Sequence, residues 1–421
     1  MVRFLHTADW QIGKPYHRVA DGQKRFRLQQ ERIAAIGRIR EVAVRHGVSF
    51  VLVAGDLFDS TTVAAAAVVE VLEAIGELPV PVFVIPGNHD HGAPGSLWHR
   101  PDFQRQSQRR APNLQVLLER RPLASDGALL LPCPLLRNQD SNDPTAWIHQ
   151  LDPAVLAGDA PRIVLAHGGI QGFSGRDYGA DEEAPAGAGN RIDLAALERS
   201  GVEYIALGDW HNGQQVGERA WYSGTPEPDR FDQGENNQRG QVLVVEVERE
   251  QPPRVEGVPT GRMGWHNLRI HFLGDGDLER FERLVQERIG DRVARDLLRL
   301  EVSGSLSLAG HARWQQRLEE LGQQLVRLRL KGRCDPAPGP RELATLVERH
   351  ADPLIAAVAR RLQGQLESGA AASPDGAVNL SPDPTAALPP VSVADPAAEE
   401  RLAITRLALC ELHRLASQEA A

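Results

Sequence analysis

Five apolar runs in this chain each lead into a residue able to hold a metal ion, and that coincidence constrains the fold more than any other feature. Val2–Leu5 is followed by Asp9, Phe50–Ala54 by Asp56, Val80–Ile85 by Asn88 and His89, Ile163–Ala166 by His167, and Tyr204–Leu207 by Asp209 and His211. Short apolar runs bounded by Gly or Pro read as buried strands. Helical spacings lie between them. Ile33, Ile36, Ile39 and Val42 predict a helix over Gln29–Arg45, closed by Gly47, and Val63–Ile75 predicts a second. Alternating strands and helices predict a layered α/β domain. In such sheets the ligand crevice lies beyond the carboxyl ends of the strands, so these polar residues are expected to converge.

The pattern runs to the strand Val242–Val247 and then changes. Asn267–Phe272, Leu297–Val302 and Leu325–Leu330 read as strands, with helices at Asp277–Ile289 and His311–Leu321 and a long helix over Glu342–Leu366. Gly369–Ala398 is rich in Ala, Pro, Ser and Asp, the composition of a linker. Beyond it, Leu402, Ile404, Leu407, Leu412 and Leu415 recur at helical spacing. The expected organisation is a layered α/β domain over residues 1–260 and a small accessory α+β domain over 265–366. A flexible linker over 369–399 and a C-terminal amphipathic helix over 400–418 complete it.

At 421 residues the chain is long enough for more than one domain of about 100–200 residues. No apolar run reaches the roughly 20 residues of a membrane span. Met1–His6 runs straight into a strand, so no signal peptide is expected. Cys133, Cys334 and Cys410 are scattered and form no zinc-ligand spacing. A reducing cytoplasm is the expected compartment. The net charge of −9 excludes a bulk polycation, so any attraction to nucleic acid must come from a local basic patch.

The donor set combines Asp9-Trp10-Gln11, Gly55-Asp56-Leu57-Phe58-Asp59, Gly87-Asn88-His89-Asp90, His167-Gly168-Gly169 and Gly208-Asp209-Trp210-His211. Carboxylate, amide and imidazole donors suit a Mn, Fe or Zn pair and not a thiolate zinc site. Their order resembles the calcineurin-like metallophosphoesterase superfamily, whose pattern is DxH, GDxxD, GNHD or GNHE, a later His, and GHxH. Within it, His6-Thr7-Ala8-Asp9-Trp10, Val53–Asp59 and Ser223-Gly224-Thr225-Pro226-Glu227 resemble the SbcD-type DNA-repair exonucleases. The resemblance covers residues 1–260. It implies a metallophosphoesterase β-sandwich flanked by helices, with the accessory domain acting as a cap.

Carried over by position, the resemblance implies that Asp56 bridges two divalent metals. Asp9, Gln11 and His211 complete one site, and Asn88, His167 and Asp209 the other. It further implies in-line hydrolysis of a phosphodiester, with a hydroxide between the metals as nucleophile. His89 assists the leaving group, and Asp90 orients His89. Two positions depart from the family pattern, because Gln11 and Asp209 stand where it has histidines. His17 is an alternative donor to Gln11. The oxygen-rich donor set favours Mn²⁺, with Mg²⁺, Fe²⁺ or Zn²⁺ as the other candidates. His6 is expected behind the ligands rather than among them.

Arg100, Arg105, Arg109 and Arg110 follow the GNHD motif, and Lys14 and Arg18 follow Asp9. Both clusters are candidates for holding a DNA backbone. The resemblance implies DNA as substrate and an SbcC-like, SMC-type ATPase as partner, docked on the C-terminal helix through Leu402, Ile404, Leu407 and Leu412. A homodimer is a further expectation. Two other readings stay open. One is a phosphoesterase for nucleotides or small phosphodiesters, which the acidic net charge favours. The other is a catalytically degenerate scaffold, which Gln11 and Asp209 favour.

Overall fold

A computed structural model describes residues 1–170, 189–231, 239–349, 352–370 and 396–418. The chain divides into two compact units, residues 1–265 and 266–421. In chain order the first runs β1 (Val2–Thr7), α1 (Gly22–His46), β2 (Val51–Ala54), α2 (Ala65–Gly76), β3 (Val82–Ile85), α3 (Pro101–Arg110), β4 (Leu114–Val116), β5 (Leu123–Ser125) and β6 (Ala128–Cys133). It continues with β7 (Arg162–His167), β8 (Gly169–Ile170), β9 (Arg191–Ile192), α4 (Leu194–Arg199), β10 (Tyr204–Gly208), β11 (Gln214–Gln215), β12 (Ala220–Tyr222), β13 (Gln241–Val247) and β14 (Arg254–Pro259).

These strands form two six-stranded sheets, ordered β14-β13-β1-β2-β3-β4 and β11-β12-β10-β7-β6-β5. β1, β2 and β3 are mutually parallel, as are β6, β7 and β10. Their carboxyl ends therefore deliver side chains to a common edge. Between the sheets Phe4, Phe50, Leu52 and Phe83 pack against Leu130, Ile163, Leu165 and Tyr204. The outer face of the first sheet, through Leu5, Val51, Val53 and Val84, is covered by Ile36 and Ile39 of α1, Val71 and Leu72 of α2, and Phe103 of α3. On the outer face of the second sheet, Val164 and Ile205 pack against Ile148, Leu197 and Trp210. Burying each such side chain is worth about 1.5–3 kcal/mol. The central strands are buried on both faces, which is why they read as unbroken apolar runs. This is the layered α/β sandwich flanked by helices that the sequence predicts.

α1 starts seven residues before the expected Gln29, at Gly22. Asp21 caps it, its Oδ1 accepting from the N–H groups of Gln23 (2.8 Å) and Lys24 (3.0 Å). The first turn carries charged residues, which hid it from hydrophobic periodicity. Gly47 ends the helix with φ 57°, its N–H donating to the carbonyls of Ala43 and Val44.

The second unit contains β15 (Trp265–Phe272, whose first residue belongs to the first unit), α5 (Asp277–Arg288), β16 (Leu297–Leu306), α6 (Leu308–Gln324), β17 (Arg327–Gly332), β18 (Asp335–Pro336), α7 (Pro340–Val347), α8 (Pro353–Ala370) and α9 (Pro396–Gln418). Ile270, Phe272, Leu298 and Leu300 of its sheet pack on Phe281 and Val285 of α5 and Trp314 of α6. The unit of residues 266–421 thus holds one sheet with its helices, α9 among them.

The single helix expected over Glu342–Leu366 is instead two, α7 and α8. Pro353 lacks an N–H and disfavours helical backbone at the residue before it. Asp352 restarts the chain, its Oδ1 accepting from Leu354 N and Ile355 N, both at 3.2 Å. The linker expected over 369–399 is helical at both ends, because α8 runs to Ala370 and α9 begins at Pro396. The rest of that linker, 371–395, lies outside the described residues. α9 carries Leu409 and Ala416 into a cluster with Leu308, Leu346, Ile355 and Ala359. Among the described residues no helix is long and apolar enough to cross a membrane.

Candidate metal centre

The segments after β1 and β2 zip together before reaching the crevice. Asp9 N donates to Gly55 O (3.1 Å), Gln11 N to Asp56 O (2.9 Å), Ile12 N to Leu57 O (3.0 Å) and Asp59 N back to Ile12 O (2.9 Å). Four side-chain-bearing residues here hold left-handed backbone: Asp9 (φ 54°), Gln11 (42°), Asp56 (53°) and Asp209 (99°). Such conformations cost on the order of 1–3 kcal/mol each and persist only where surroundings impose them. Gly55, at φ 90°, allows a second close approach. A Cβ there would overlap the His167 ring, and a Cβ on Gly87 would overlap the Asp56 carboxylate.

Asp9, Asp56 and His167 are buried, and a donor atom from each lies within 4.8 Å of the others. The His167 Nδ1–H donates to Ala54 O at 2.8 Å, which turns Nε2 into the crevice. There Nε2 is 2.8 Å from Asn88 Oδ1, 3.6 Å from Asp56 Oδ1 and 3.8 Å from Asp209 Oδ1. Asp209 N lies 3.2 Å from both oxygens of Asp9. His211 Nε2 is 3.9 Å from Asp9 Oδ1, and its Nδ1 is 2.9 Å from Asp229 Oδ2. All seven residues expected as ligands therefore meet at one crevice.

The electrostatics call for added positive charge. Burial, with Asp56 and Asp209 alongside, pushes Asp9 up to about 8 even though the His167 ring opposes this. Burial alone would lower His167, yet Asp56, Asp9 and Asp209 raise it to about 9. A neutral His167 Nε2 and Asn88 Oδ1 are both acceptors, so a proton or a cation must lie between them. Buried carboxylates crowded around one imidazole form a donor set suited to divalent cations.

His89 stands at the rim, its side chain 31% exposed. Its Nδ1–H donates to Asp59 O (2.9 Å), and its Nε2 lies 3.9 Å from Asp56 Oδ2. Burial would lower this imidazole, but Asp56 and the Asp59 carbonyl outweigh it, so its affinity for a proton is raised. Asp90 does not orient this ring, contrary to expectation. Its oxygens accept from Gly87 N (2.7 Å) and Phe58 N (3.0 Å), tying the β2 and β3 loops together. His17 is exposed whereas Gln11 is buried, so Gln11 occupies the position in the crevice. His6 bridges the sheets, with Nδ1 2.9 Å from Tyr204 Oη and Nε2 3.2 Å from Leu207 O.

The basic candidates separate. Arg18, Arg105 and Arg109 are exposed. Arg110 is paired with Glu73 of α2, and Arg100 donates to Thr61 O at 3.3 Å, which ties both to the body. Lys14 points into the centre, with Nζ 2.8 Å from Gln11 Oε1 and 3.3 Å from Asp229 Oδ2. Sequence reasoning missed Asp229 behind His211. It also missed Arg32, which is buried and donates to Asp9 O (3.0 Å), Trp10 O (2.7 Å), Glu227 O (3.1 Å) and Thr225 Oγ1 (3.0 Å). A charged residue within a helix gives no such signal. The Ser223–Glu227 motif, which Arg32 grips, was the available hint.

The calcineurin-like phosphoesterase family profile matches residues 2–213. The chain belongs to that family. Members of that family are metal-dependent phosphoesterases with a dinuclear divalent metal site. The SbcD component of the nuclease SbcCD from Escherichia coli K12 is 26% identical over 264 residues, covering 55% of this chain. The chain spans 62% of that relative's length, less than two-thirds. The uncharacterized metallophosphoesterase YhaO of Bacillus subtilis is 32% identical over 93 residues, 21% of this chain and 23% of that one. The solved structure of TT1561 from Thermus thermophilus is 11% identical, with a TM-score of 0.36 over 61% of this chain and 98% of that one.

Proposed function

We propose that this phosphoesterase is a DNA-repair nuclease that hydrolyses phosphodiester bonds with a pair of divalent cations, Mn²⁺ foremost. The observation that carries the reading is the buried convergence of Asp9, Asp56 and His167 at the ends of three strands. Asp56, Asn88, His167 and Asp209 would hold one cation, and Asp9, Gln11 and His211, with Asp56 shared, the other. A cation pair there would draw charge from the phosphoryl oxygens and supply an acidic water.

The chain's own residues do the rest. His89, with Nδ1–H anchored on Asp59 O, presents Nε2 at the open rim. Its raised proton affinity suits a group that delivers a proton to the departing alkoxide oxygen. Asp90 keeps the loops carrying Asp56 and His89 in register. Exposed Arg18, Arg105 and Arg109 would neutralise backbone phosphates, a sequence-independent contact. The relative named as a nuclease supports DNA over small diesters.

The same relative is one component of a two-part nuclease by name. An SbcC-like ATPase partner would dock on α9, where Ile404 and Leu407 are 59% and 51% exposed. A cytoplasmic site of action and a homodimer belong to the same reading.

Mn²⁺-dependent cleavage of linear double-stranded DNA, beside bis-nitrophenyl phosphate, tests this. Cleavage of both substrates, lost in Asp56→Ala and in His89→Ala, is expected. Cleavage of the small diester alone would reassign the substrate. No hydrolysis with any divalent cation, with or without the ATPase, would leave only a scaffold.

A further inference from the structure

We propose that the two halves of the metal centre load unequally, because Lys14 and Gln11 hold the Asp9–Gln11–His211 half against a cation. The inference rests on the metal-centre reading above and adds to it an order of filling.

A lysine ammonium only donates hydrogen bonds. The Gln11 side-chain atom 2.8 Å from Lys14 Nζ is therefore the amide oxygen. The NH₂ group of Gln11 is then the end that lies 3.2 Å from His211 Nε2. His211 Nδ1 lies 2.9 Å from Asp229 Oδ2 and 2.6 Å from Arg230 Nη2, so a second cationic side chain stands against this half. The Gln11 oxygen, a neutral donor of this half, thus spends a lone pair on an ammonium inside the protein.

Lys14 is held where it is. Its Nζ also lies 3.3 Å from Asp229 Oδ2 and 3.9 Å from Asp59 Oδ1, and its side chain is only 20% exposed. Lys14 N donates to Gln11 O at 3.2 Å, so a tight turn places the two side chains together. A cation entering this half must draw Gln11 away from Lys14 and then sit beside a fixed positive charge, which repels it.

Among the described residues, the other half has no such competitor at its neutral donors. His167 Nε2 and Asn88 Oδ1 hydrogen-bond each other at 2.8 Å, beside the carboxylates of Asp56 and Asp209, so a cation entering there displaces a proton rather than a fixed ammonium. The Asp56–Asn88–His167–Asp209 half fills first and tightly. The Asp9–Gln11–His211 half fills only at high metal concentration, with Lys14 supplying positive charge there until it does.

The test is calorimetric titration of Mn²⁺ into the chelator-stripped full-length chain. The expected result is one tight equivalent and a second at least about tenfold weaker, since groups touching a ligand shift metal affinity by roughly 10–100-fold. Lys14→Met should tighten the second equivalent by about tenfold and leave the first within about threefold. Gln11→His keeps Lys14 and adds a nitrogen donor, so it should tighten the second as well. Thermal melts show that each variant is folded. Two equivalents of equal affinity in the unaltered chain would overturn the inference. So would folded Lys14→Met and Gln11→His variants whose second equivalent stays weak. Absence of any Mn²⁺ binding would overturn the metal-centre reading itself, and the inference with it.

Discussion

The backbone N–H of Asp209 lies 3.2 Å from each carboxylate oxygen of Asp9, although the two residues are 200 positions apart in the chain. Asp9 follows β1 of one sheet and Asp209 follows β10 of the other. This bifurcated contact joins the two sheets at the place where the candidate ligands meet, as does the bond from His167 Nδ1 to Ala54 O. Asp209 accepts a φ of 99° to make it. The crevice is a seam between sheets, braced by groups that do not face it.

Arg32 is the largest of these braces. It fastens the carbonyls of Asp9 and Trp10 to the Thr225–Glu227 segment, and its side chain is enclosed. Arg32→Met removes every donor and strands several buried acceptors, each of which costs about 1–3 kcal/mol when unpaired. A loss of about 3 kcal/mol in chemical denaturation is expected. Weaker Mn²⁺ binding should accompany it, because Asp9 and Gln11 lose the support for their left-handed backbone.

Asp90 acts through the backbone. Asp90→Asn keeps one acceptor and turns an NH₂ group toward either Gly87 N or Phe58 N. The expected cost is about 1–3 kcal/mol in a denaturant melt. The His89 ring keeps its bond to Asp59 O, so the pH dependence assigned to His89 should stay in place. A displaced pH profile in a variant of unchanged stability would contradict this.

Glu203 gives a pH signature far from the metal centre. Burial alone would raise its carboxyl, but it accepts from Arg162 N (2.7 Å), Arg162 Nη2 (3.1 Å), Arg249 Nη1 (2.6 Å) and Glu250 N (3.3 Å), and these hold it below its usual 4.5. A folded-state value below the unfolded one stabilises the fold above the unfolded value and loses that stabilisation as pH falls through the folded value. Glu203→Gln should lower the melting temperature at pH 7. The gap between the two proteins should close as pH falls below about 4.5, the range in which an unfolded carboxyl takes up its proton.

α9 separates packing from docking. Leu409 is fully buried among Leu308, Leu346 and Ile355, so Leu409→Ala should cost about 2–5 kcal/mol. Ile404→Asp and Leu407→Asp alter exposed positions and should change stability by no more than about 0.5 kcal/mol. The same two changes should abolish capture of an SbcC-like coiled coil in a pull-down. Retained capture would remove α9 from the proposed interface.

The strands and the convergence of the polar residues that follow them were legible because both derive from local pattern. A strand buried on both faces is an apolar run, and a strand-end ligand is the first polar residue past it. The α/β layering followed from the alternation, and the sandwich from the family resemblance. The braces were not legible. Arg32 sits within a helix rich in charged residues, and only the fold reveals that it reaches Asp9 and Glu227. Lys14 read as a DNA contact because its turn back onto Gln11 is invisible in composition. Asp90 adjoins His89 in sequence, yet its oxygens reach Gly87 N and Phe58 N, which only the fold reveals. The break between α7 and α8 was available in Asp352-Pro353, a cap followed by a residue that cannot continue a helix.

The central claim is that the strand ends of the two sheets form a divalent-cation site. Crystals of the chain soaked in Mn²⁺ and measured at a wavelength where manganese scatters anomalously test it most directly. The account predicts an anomalous peak bounded by Asp56, Asn88, His167 and Asp209. A fully soaked crystal with no peak at this crevice, or with its strongest peak elsewhere on the chain, would contradict it.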